Sequence, residues 1–80
     1  MTTKIYFFAG GGLVTASSAE QFVKAMHRTS RKPRDADLQY MQDVSERCYL
    51  FNDAYIRTTS ADDFLQDLID NDFVFVVNTN

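Results

Sequence analysis

The sequence predicts an α+β domain: three helices packed on a small three- or four-stranded sheet, in the order β-β-α-α-β-α-β. Three observations carry this. Two runs rich in aromatic and β-branched residues, Lys4–Ala9 and Phe73–Val77, read as strands. Three stretches behind small polar residues carry apolar positions three and four apart, the period of a half-buried helix. The chain has 80 residues, 45% of them hydrophobic, which makes one compact domain over residues 1–80 and argues against disorder.

Lys4–Ala9 ends at Gly10-Gly11-Gly12, a tight turn, and Leu13–Ala16 can return as the second arm of a hairpin. Ser17-Ser18-Ala19-Glu20-Gln21 is the clearest local signal. Ser17 with Glu20, or Ser18 with Gln21, forms a capping box, in which the hydroxyl accepts from an orphan amide and the longer side chain reaches back. Phe22, Val23 and Met26 follow on one face, and the helix runs to about Arg28. Pro33 biases Lys32 to extended geometry, and Asp35 or Asp37 can cap a second helix. Leu38, Met41, Val44, Cys48 and Phe51 form its stripe. Asn52-Asp53 is a turn, Ala54–Arg57 a short strand, and Thr59–Asp63 caps a third helix with Phe64, Leu65, Leu68 and Ile69 inward. Asn71-Asp72 turns the chain into Phe73–Val77. The predicted core is Phe22, Met26, Met41, Val44, Phe64, Leu68 and Phe75.

Leu13–Val23 and Tyr55–Leu65 echo one another. Each is a strand-like segment, a small polar cap and a helix opening on an aromatic–aliphatic pair. One physical need explains both copies, a short turn that docks the first helical turn onto the sheet.

Chemistry-bearing residues are sparse. Gly10-Gly11-Gly12 lacks the GxGxxG or Gly-Lys-Ser/Thr context of a phosphate loop. His27 and Cys48 are each the only residue of their type. Cys48 falls on an apolar stripe, where free cysteine acts as a small hydrophobe, and His27 reads as a surface residue at a helix end. One cysteine excludes an intramolecular disulfide and a multi-cysteine zinc site. Asp62, Asp63, Asp67, Asp70 and Asp72 lack EF-hand spacing. Asp70 and Asp72 oppose the helix dipole, a misfit that points to function or to a nearby cation such as Arg47 or Arg57. No metal, cofactor or catalytic residue is expected, and the chain is expected not to be an enzyme.

Charge is distributed unevenly. Residues 1–34 hold six of the eight cations and only one acid, Glu20; residues 35–80 hold the other ten acids with Arg47 and Arg57. This layout predicts a small protein-interaction or regulatory module of unknown target. Its candidate partner-binding residues are Lys24, Arg28, Arg31, Lys32 and Arg34 on a basic stretch, and Asp63, Asp67 and Asp70 on an acidic helix. The alternative is a nucleic-acid-associated protein using the basic 24–34 segment. Stacking aromatics are absent from that segment, and the sequence pI is near 4.8. The expected location is the cytoplasm, because the signal-like start is broken by glycines, and no apolar run is long enough to span a membrane.

Phe73–Val77 is apolar on both faces, and Tyr6 and Phe8 point opposite to Ile5 and Phe7. The final strand therefore lies either between two others or at an edge met by a second copy. A homodimer that buries the second sheet face is the expectation.

Overall fold

A computed structural model describes residues 3–28 and 36–78. Strands β1 (Lys4–Phe8) and β2 (Leu13–Ala16) lead into helices α1 (Ala19–Arg28), α2 (Asp37–Asn52) and α3 (Ala61–Asp70), and strand β3 (Val74–Asn78) follows. The fold is the α+β architecture that the sequence predicts. The sheet has three strands in the order β2-β1-β3, both pairings antiparallel. Gly11 and Gly12 adopt φ of 104° and 93°, which side-chain-bearing residues rarely reach, and this lets Phe8 N–H donate to Gly12 O at 3.0 Å to close the hairpin.

Register decides which side chains enter the core. Tyr6 lies opposite Val14 on one side and Val76 on the other, and Phe8 lies opposite Val74. Tyr6, Val14, Ala16 and Val74 are buried on the face that α1 and α3 cover. The Phe22 ring packs on Tyr6 at 4.9 Å and on Phe8 at 6.0 Å between centroids. Phe22 and Phe64 are both fully enclosed, and Val23, Leu65 and Leu68 pack around them. Helix α2 is the outermost element and packs against α1.

The internal echo reaches the hydrogen bonds. Gln21 N–H donates to Ser18 Oγ at 3.2 Å, and Asp63 N–H donates to Ser60 Oγ at 3.1 Å. One residue upstream, Ser17 Oγ donates to Gln21 Oε1 and Thr59 Oγ1 donates to Asp63 Oδ2. Each cap fixes where its helix begins and so aims Phe22 and Phe64 at the same core.

Several expectations change. Ala54–Arg57 is not a strand. Side chains occupy backbone groups that a ladder would use: Ser45 Oγ donates to Ile56 O at 2.6 Å, and Arg57 N–H donates to Asp67 Oδ2 at 2.8 Å. Ala54 and Ile56 still alternate into the core. Phe75 is not core. Its partner Phe7 projects from the outer face of β1, so Phe75 does too, and it remains 49% exposed. Phe22, Met41, Phe64 and Leu68 are buried as predicted, whereas Met26 and Val44 pack at the core's margin. Of the two places the sequence allows the final strand, β3 takes the sheet edge, and β1 occupies the centre. Asp37 is the first residue of α2 and not its cap. Ala36 holds the cap position with no side-chain hydrogen bond, and Asp35 lies outside the described residues.

Helix α3 ends in a Schellman motif. Phe73 N–H donates to Leu68 O at 2.9 Å and Asp72 N–H to Ile69 O at 3.1 Å, with Asp72 left-handed at φ 63°. Asp72 thus places an anion and a Cβ where glycine is preferred. Asp72→Gly removes both penalties and is expected to stabilise the protein by roughly 0.5–1 kcal/mol net of glycine's backbone entropy. Thermal denaturation would register a melting point higher by a few degrees. Phe64→Ala is expected to cost about 3–5 kcal/mol, a large part of a small domain's stability, and denaturant titration measures it.

Candidate functional site

The acidic helix is tied down from within. The Arg57 guanidinium grips Asp67 with two hydrogen bonds, Nε to Oδ2 and Nη2 to Oδ1, both 2.9 Å, and Arg57 N–H adds a third. Arg57 Nη1 also lies 3.5 Å from Asp63 Oδ1. These side-chain hydrogen bonds from Arg57 hold the Asp67 carboxyl below its ordinary range and raise Arg57 in turn. Arg57 is thus the cation that offsets the anions of α3. Asp70 is exposed and accepts from Gln66 Nε2 at 2.9 Å. Of the three acidic candidates, Asp63 and Asp67 face an internal partner and Asp70 faces outward.

The basic candidates are dispersed differently. Lys24 Nζ approaches Asp37 Oδ2 at 4.0 Å and Arg28 is exposed at the end of α1. Arg31, Lys32 and Arg34 lie outside the described residues. His27 is not a surface residue. Its side chain is 12% exposed, its Nδ1 lies 2.9 Å from Asp37 Oδ1, and its ring stacks on Tyr40 at 4.7 Å. The His27–Asp37–Tyr40 contact locks α1 to α2 in the way the packing of two helix ends requires. Cys48 points from α2 toward the core margin, and burial pushes its thiol up, opposite to what activates a nucleophile. Among the described residues no group of three or more His, Cys, Asp or Glu is arranged to hold a metal ion, and no helix is long and apolar enough to cross a membrane.

What sequence reasoning missed is apolar. Tyr49, Leu50, Phe51 and Tyr55 are all exposed, Phe51 at 80% and Tyr55 at 82%. The Tyr49 and Tyr55 rings meet edge to face at 5.6 Å. They border a cleft of about 280 Å³ between α2 and the segment after it, lined also by Gln42, Ser45, Glu46 and Thr58. The signal was present in the run Cys48-Tyr49-Leu50-Phe51: four consecutive apolar residues span all sides of a helix, so some must face water. Phe51, placed on the inward stripe by spacing alone, sits at the helix end beyond the reach of the core, and Leu38 is half exposed at the other end.

The chain matches no protein-family model, no curated protein and no solved structure.

The Arg57–Asp67 contact has a pH signature. Asp67 is more acidic folded than unfolded, so its contribution is present above the unfolded carboxyl pKa of about 3.9 and is lost as pH falls through the lower folded value. Asp67→Asn is therefore expected to be less stable than the parent at pH 7, with the difference shrinking below about pH 4. Denaturant midpoints measured from pH 7 to pH 2.5 check this. Cys48→Ala is expected to shift stability by only about 1–2 kcal/mol, read from the same titrations.

Proposed function

We propose that this chain is a small, non-enzymatic protein-interaction module acting in the cytoplasm, and that it recognises its partner through the aromatic end of α2. The carrying observation is the exposed run Tyr49, Leu50 and Phe51 together with Tyr55, of which Tyr49 and Tyr55 line one cleft. Exposed aromatic side chains anchor interfaces because they bury much area at little rotamer cost. Here the two tyrosines already stand against each other, so part of that ordering precedes binding.

The lining suits a partner side chain with an apolar stem and a cationic head. Tyrosine faces attract cations, and Glu46 supplies a carboxylate at the rim. A lysine or arginine projecting from a partner protein meets both requirements. The charged residues that the sequence puts forward support this reading less. Asp63 and Asp67 are turned to Arg57 and Lys24 is turned to Asp37. The nucleic-acid alternative rests on the same basic stretch and draws no support from the described geometry.

A photo-crosslinking side chain at Phe51, with a matched one at the exposed Gln39 of the same helix, tests the proposal in the native cell. The expected result is a discrete protein adduct at position 51, absent at 39 and lost when Tyr55→Ala and Glu46→Gln are added. Equal labelling from both positions would refute it.

A further inference from the structure

A second surface stands apart from the aromatic cleft. The register aligns two rows across the outer face of the sheet: Thr15, Ile5 and Val77 in one, Leu13, Phe7 and Phe75 in the other. The helices that reach the sheet cover its opposite face, so Leu13, Phe75 and Val77 are each about half exposed, and even Phe7, on the central strand, is 38% exposed. No charged residue occupies this face of the three strands.

We infer that the outer sheet face is the contact between two copies of this chain, related by a two-fold axis. Area is the first argument. The exposed parts of Phe7, Leu13, Phe75 and Val77 sum to roughly 350 Å², as large as the biggest apolar patch of many monomers. Interfaces are about 60% apolar, so two such faces correspond to a total burial of about 1,200 Å², the low end of what holds a stable dimer. Charge is the second argument. Each chain carries a net −3, yet this face carries none, so two copies can meet here without bringing like charges together. A charged partner would find nothing on this face to pair with, whereas an identical face matches it in polarity. Two sheets stacked about 10 Å apart would interleave the Leu13–Phe7–Phe75 rows of both copies. The same patch serves on both sides, so the assembly closes at two.

An interface of this size gives a concentration-dependent equilibrium. Analytical ultracentrifugation of the full chain from about 5 to 500 µM is expected to show conversion from 9.2 kDa to twice that mass, with a midpoint in the micromolar range. Phe75→Lys is expected to raise the dissociation constant tenfold or more with the circular dichroism spectrum and melting point of the monomer retained. If Phe75→Lys fails to fold, Thr15→Arg decides, since it adds a charge to the same face and removes no apolar contact; it too must weaken the dimer. Phe51→Lys, on the aromatic end of α2, must leave the dimer intact. A species of 9.2 kDa persisting at the highest concentration overturns the inference. So does a dimer that survives Thr15→Arg and dissociates in Phe51→Lys, which would assign self-association to the helix end.

Discussion

Among the described residues helices cover only one face of the three-stranded sheet, and most of the molecule's features follow from that shortage. Helices α1 and α3 lie on the inner face, α1 against β2 and α3 against β3, each led by an enclosed phenylalanine. Helix α2, the longest, stacks on α1 and does not reach round to the other face. Among the described residues there is thus one dry core, and besides Leu38 and Val76 the large exposed apolar side chains gather in two regions, the outer sheet face and the far end of α2. Each exposes more apolar area than isolated surface leucines would.

The core itself rests on a repeated device. In both strand-like-to-helix turns a serine hydroxyl receives the amide three residues on, while the residue before it bonds the side chain of that same later position. The turn geometry fixes the first helical turn, and the first helical turn delivers Phe22 or Phe64 to the sheet. The two copies differ in what precedes them. Leu13–Ala16 pairs with β1, whereas 54–57 is held by Ser45 from α2 and Asp67 from α3. Arg57 then completes the second copy by neutralising the acids that crowd α3, and it is the counterpart of a ladder partner as much as of an ion pair.

Legibility in the sequence followed the range of the interaction. Caps are local, so the capping segments Ser17–Gln21 and Thr59–Asp63 could be read directly, as could the helices they start, while the choice of Ser18 with Gln21 over Ser17 with Glu20 needed the structure. Inward faces of α1 and α3 were readable because their apolar residues form a narrow stripe between polar ones. In Phe73–Val77 every residue is apolar, so alternation carries no information about which parity faces inward, and Phe75 fell on the wrong side. Only pairing with Phe7 settles it, and register is a property of two strands. The same limit applies at Ala54–Arg57: the alternation is strand-like and real, but whether a neighbour offers a ladder or a serine and an aspartate depends on tertiary placement. His27 looked like a solvated helix end because its partner Asp37 lies ten residues further along the sequence.

The candidate site moved from charged to apolar residues for a related reason. Linear charge asymmetry counts residues that folding then pairs, and a bidentate arginine–carboxylate contact removes two charges from the surface at once. An exposed aromatic cluster cannot be cancelled in that way by the chain that carries it. Burying Tyr49, Phe51 and Tyr55 would require another element packed on the end of α2, and among the described residues the elements are already committed to the sheet and to α1. A small domain can leave such area exposed only at a cost in solubility, which net charge partly offsets. The charge-free outer face of the sheet adds to that cost, and pairing it with its own copy relieves it while leaving the aromatic end of α2 open to a different protein. Self-association and partner binding are then compatible, because they draw on different residues of the domain's exposed apolar surface.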